Sequence, residues 1–135
     1  MKRLLLVLLL WAPALADPSY LEQAQAVLRQ AQEVSRQLAA DNPADIRAAH
    51  ARLAHHYERF YETCQGLPRQ ASRARVEDVY SRTRSAAANY LKCRGLAGEE
   101  GRRWRADFRQ DLLELDRRIT RARQALEPQK FSQQE

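Results

Sequence analysis

Gly98–Glu127, GEEGRRWRADFRQDLLELDRRITRARQALE, is the last long amphipathic stretch of the chain. Trp104, Phe108, Leu112, Leu115, Ile119, Ala122 and Leu126 recur in it at steps of 4, 4, 3, 4, 3 and 4. At about 100° per residue they fall on one narrow stripe of a helix. Charged side chains, from Arg102 and Arg103 to Arg121 and Arg123, cover the remaining surface. Leu113 lies near the back of this helix, away from the stripe. A helix of this kind gains most of its stability by packing its apolar face, so the chain must supply a matching surface.

Three upstream segments supply it. The first is read as a helix from Ser19 to about Ala40, with Ser19 and Glu22 as a capping box. Its face is Tyr20, Ala24, Val27, Leu28, Ala31, Val34 and Leu38. The second starts at Asn42-Pro43, where Asn42 is suited to cap and Pro43 to the first helical position. Ile46, Ala49, Leu53, Tyr57, Phe60, Cys64 and Leu67 form its stripe, and Gly66 and Pro68 end it. The third runs from about Ser72 to Arg94 and turns Val76, Val79, Tyr80, Thr83, Ala86, Ala87, Tyr90 and Leu91 inward. Four dissimilar helices joined by short loops predict an all-α chain, a four-helix bundle over residues 17–127.

The ends of the chain read differently. Met1-Lys2-Arg3 is basic, Leu4–Leu10 is an unbroken apolar run, and Ala14-Leu15-Ala16 places small residues before a cut at Asp17. That pattern predicts a cleaved signal peptide over residues 1–16. The apolar run is too short for the roughly 20 residues that a membrane helix needs. Residues 128–135 read as a polar, flexible tail. Arg outnumbers Lys by 20 to 3, which suggests a GC-rich bacterial genome. The expected location is therefore periplasmic or secreted.

Charge bounds the function. The chain carries +6, and loss of Lys2 and Arg3 with the signal leaves +4. Acidic and basic residues are interleaved through most of the mature chain, which fits a solvated, salt-bridged surface and not nucleic-acid binding. The segment Arg69–Arg94 is the exception. Seven basic residues there face only Glu77 and Asp78, a local net of +5. Arg69, Arg73 and Arg84 share one flank of its apolar stripe, and Arg75 and Arg82 share the other. Long Arg stems can cover a core edge while their heads stay wet. The same cluster also suits docking of an acidic protein, so Arg69, Arg73 and Arg84 are the candidate partner-binding residues.

Export makes a disulfide the expected state of Cys64 and Cys93. An up-down hairpin of helices two and three nonetheless separates them by roughly 30 Å, against about 7 Å between the Cα atoms of a bridged pair. A crossover through residues 65–75, able to reach about 33 Å, would reconcile the two, as would a break in helix three. Otherwise the cysteines are buried singly or link two chains.

Metal and catalysis find little support. Taking Ile46 as zero, His50, His55 and His56 point about 40°, 180° and 280° around their helix, whereas a shared site on one face needs i, i+4 spacing. No C-x-x-C-H is present, and Met1, the single Met, leaves with the signal, so no haem or other cofactor is expected. No nucleophile elbow, H-E-x-x-H or phosphate loop occurs either, and an enzyme is not expected. The expected activity is binding of another protein by a monomeric bundle, as an inhibitor, immunity protein, chaperone or envelope adaptor. The alternative is a ligand- or metal-binding bundle with its site near His50, Tyr57 and Tyr61.

Overall fold

The computed structural model describes residues 18–127, so the expected signal peptide and polar tail lie outside the described residues. Four helices follow one another: α1 (Pro18–Ala40), α2 (Pro43–Gln65), α3 (Arg73–Cys93) and α4 (Gly98–Ala125). There is no strand among the described residues. None of these helices is long and apolar enough to cross a membrane.

Local chemistry sets the boundaries. Asn42 is extended, and its side chain accepts a hydrogen bond from the Asp45 backbone N–H, with Pro43 in the first turn. Asp41 bridges α1 and α2 with a φ of 58°, in the left-handed region that Asp tolerates better than most residues. Gly66 closes α2, its N–H reaching back to the Thr63 carbonyl. One cap differs from expectation. Helix α1 already begins at Pro18, which places Ser19 inside the first turn.

Connections this short make the helices run up, down, up and down. Side-chain contacts agree. Tyr20 at the start of α1 meets Phe60 near the end of α2 and Ser72 just ahead of α3. Tyr90 near the end of α3 donates to Asp41 just beyond α1. Ser35 of α1 donates to Asp116 of α4 over 2.9 Å.

The core is one continuous cluster from all four helices. All seven residues of the α1 stripe are buried in it. Helix α1 packs on each of the other three, whereas α2 and α4 do not touch. The bundle is therefore a rhombus with α1 and α3 on its short diagonal. The hub is α1 and not the longer α4. Helix α1 carries the fewest charged residues of the four, so it can be covered on every side, while Arg and Asp flank the α4 stripe closely.

Up-down topology overturns the expected disulfide. Cys64 lies beside Arg73 and Glu77 at one end of the bundle, and Cys93 closes α3 at the other. The 21 residues of α3 span about 31 Å. Both cysteines are free thiols. Neither a crossover nor a helix break brings them together. Burial pushes the Cys64 thiol above its usual range, with the nearby Arg73 charge partly opposing the shift.

Candidate partner-docking groove

The end of the bundle that holds Tyr90 is less tightly closed than the end that holds Tyr20. Helix α1 stops at Ala40 and α3 at Cys93, while α4 begins there with Gly98. The aromatic residues of α3 and α4 gather in the space that this leaves. Trp104 and Phe108 stack with ring centroids 4.9 Å apart and an interplanar angle of 22°. Tyr90 lies 5.9 Å from Phe108 and 6.4 Å from Trp104. The sequence pattern assigns Trp104 and Phe108 alike to the core, and here they part. Phe108 is buried, whereas Trp104 is only half-buried because no helix lies over its outer face.

The three rings floor a groove of 560 Å³ that runs along α4 between Trp104 and Asp116. Leu38 and Ala39 of α1 form its other wall, and Leu112 and Leu113 extend the apolar lining. Leu113 stands 51% exposed, and with Tyr61 it is one of two large exposed hydrophobic residues among the described residues.

The polar groups around the groove are unevenly committed. Asp116 accepts from Ser35, and Asp41 accepts from Tyr90. Burial raises the Tyr90 phenol above its usual range, and the Asp41 carboxylate adds to the shift. Arg94 lies over the Tyr90 ring, 6.0 Å from its centroid. Arg105 and Arg109 are exposed, one turn apart on α4. Among the described residues none of these three arginines is ion-paired with a carboxylate. The lip thus carries three arginines against the two carboxylates Asp41 and Asp116, a small net positive charge over an aromatic floor.

The arginines expected on α3 do not form one surface. Arg69 is exposed in the loop ahead of α3. Arg73 is drawn in, with its side chain only 17% exposed and its Nε 3.5 Å from Glu77 Oε1, an ion-pair distance without hydrogen-bond geometry. Its guanidinium lies over the Tyr61 ring, 5.9 Å from the centroid. Arg84 is exposed beside His50. On the other flank, Arg82 is held by Asp78, which also receives Arg118 from α4 at 3.0 Å. The two acids of the segment are thus taken up by Arg73 and Arg82, the net excess stays on Arg69, Arg75, Arg84, Lys92 and Arg94, and Arg73 behaves as a core-edge residue.

The alternative site near His50, Tyr57 and Tyr61 gathers no ligand set. No group of three His, Cys, Asp or Glu suited to a metal occurs among the described residues. Tyr57 instead stacks on Tyr80 at 3.8 Å and 5°, which closes the seam between α2 and α3. Burial lowers the pKa of His50, and the Arg84 charge lowers it further. His56 is lowered for the same first reason, then by the nearby His55, Arg59 and Arg29.

Both imidazoles are thus held neutral in the fold and take up protons more readily once unfolded. Their contribution to stability is full above the ordinary histidine pKa and is lost as pH falls through the lowered folded values. The urea midpoint should drop from about pH 7.5 to about pH 5, and His50→Gln should flatten part of that drop. A midpoint that rises on acidification in this window would contradict the assignment.

The sequence did carry a mark of the groove. Leu113 sits off the apolar stripe of α4, a lone leucine where the pattern calls for a polar residue. Nothing in the pattern distinguishes half-buried Trp104 from buried Phe108. Comparison with family models, curated proteins and solved structures finds no match for this chain.

Proposed function

We propose that this chain is an exported, monomeric helical protein that acts by binding another protein and not by catalysis. The observation that carries this reading is Leu113, a large apolar side chain left in solvent on the rim of an aromatic groove. An apolar patch with a polar rim on a small soluble domain is the usual signature of a docking surface. A cleaved leader and a periplasmic or secreted location belong to the same proposal, as does a role as inhibitor, immunity protein, chaperone or envelope adaptor. The groove is the working surface, with exposed Arg69 and Arg84 as the competing one.

The test is retention of a partner from an envelope fraction by matched baits. Leu113→Asp should reduce retention about tenfold or more and leave the melting temperature within a degree or two, since the side chain is exposed. Arg69→Glu/Arg84→Glu should retain the partner. The reverse outcome, loss with the arginine pair and none with Leu113→Asp, would move the docking surface to α3.

A further inference from the structure

We propose that the occupant of the α1–α4 groove is an acidic amphipathic helix of the partner, lying along α4 with apolar anchors on the aromatic floor and carboxylates over Arg105 and Arg109. This rests on the docking reading above and adds the chemistry of the docked element.

Three observations carry it. The first is shape. The groove lies between two antiparallel helices and follows α4 from Trp104 to Asp116, about 18 Å or some three helical turns. A helix laid beside α1 and α4 there would cover the outer face of Trp104 and the exposed Leu113 together. A small ligand inside the cavity would leave Leu113 in water. Exposed Ala39 and Ala40 at the end of α1 offer no bulk against a close approach.

The second is charge. Arg94, Arg105 and Arg109 surround the floor without a carboxylate partner among the described residues. The two local acids, Asp116 and Asp41, are held by hydrogen bonds from the neutral hydroxyls of Ser35 and Tyr90 and keep their charge, so three arginines against two carboxylates leave the lining at +1. An incoming acidic element is complementary to this lip, and an incoming basic one is opposed by it.

The third is register. Arg105 and Arg109 sit four residues apart, about 6 Å along the axis. Carboxylates at i and i+4 of a helix running alongside have the same rise. Apolar anchors at i, i+3, i+4 and i+7 then face the floor, the usual pattern of a helix bound in a groove.

Isothermal titration of the full chain with designed probes tests this. One probe is an acetylated, amidated helical peptide of about 16 residues with a leucine stripe and flanking Glu at i and i+4. A second replaces each Glu with Lys, and a third is dodecanoate. The Glu peptide should bind about tenfold or more tighter than the Lys peptide. It should weaken about tenfold with Arg105→Glu/Arg109→Glu and weaken further as salt rises. Arg75→Glu/Arg121→Glu, remote from the groove, should change nothing.

Equal affinity for the two peptides overturns the proposal. Binding of dodecanoate without either peptide overturns it in favour of a small amphipathic anion. If neither peptide binds while Leu113→Asp still abolishes retention of the envelope partner, the acidic helix falls and the docking surface stands. If Leu113→Asp has no effect on retention, the docking reading falls with it.

Discussion

Replacing Phe60 with alanine should cost about 3–5 kcal/mol and lower the melting temperature by more than about 10 °C. Phe60 is 1% exposed and lies at the closed end of the bundle. Its ring is 5.5 Å from Tyr20 and 6.1 Å from Tyr57, so it joins the hub helix α1 to the stacked tyrosines of the α2–α3 seam. Removing it opens a cavity among aromatic rings that helix backbones hold apart and that cannot collapse together. Trp104→Ala is the internal comparison. Trp104 is the larger residue, yet its outer face is open, so its loss should cost roughly half as much or less. Chemical denaturation of the two variants separates these cases. Equal costs would mean that the groove is closed in solution and that Trp104 is a core residue, as the apolar stripe of α4 alone suggests.

Gly101→Ala should be destabilising by about 1–3 kcal/mol, against the usual sign. In an exposed helix interior the same change gains about 0.5–1 kcal/mol, because glycine has more backbone freedom to lose. Here Gly101 is buried under the turn that precedes α4. An added Cβ would stand 2.8 Å from the Leu96 carbonyl carbon and nearer still to its oxygen. These are backbone atoms and cannot rotate away. The first turn of α4 must shift, and Trp104 is anchored one turn later. Gly95→Ala is the control, since nothing lies within 4 Å of its added Cβ. Thermal melts should show a clear loss for Gly101→Ala and a near-neutral change for Gly95→Ala. A Gly101→Ala protein as stable as the parent would show that the Leu96 turn is soft, and with it the entry to the groove.

Much of the helical architecture was legible without coordinates. The seven-residue stripe of α1, the buried residues Phe108, Leu115, Ile119 and Ala122 of α4 and buried Leu126 at its C-terminal cap follow from periodicity alone. The site was less legible. Arg73 and Arg84 share a helical angle, but only the fold shows that Glu77 and Tyr61 occupy Arg73. Leu113 was visible as an irregularity, but the aromatic floor beside it was not. A stripe records which side of a helix is apolar and not whether anything covers it.

The number of helices, their limits to within a residue or two and the faces they bury were readable from the residues alone. Those properties rest on interactions within a turn or two: i to i−4 hydrogen bonds, Asn42 and Pro43 at a helix start, and the 3.6-residue repeat. Which helix is central, the placing of Cys64 and Cys93 at opposite ends and the groove beside Trp104 emerge only when the four helices pack. Each of these depends on where residues far apart in the chain come to rest. Short loops imposed the up-down order, that order separated the thiols, and the early end of α1 at Ala40 left the aromatic floor of α4 uncovered.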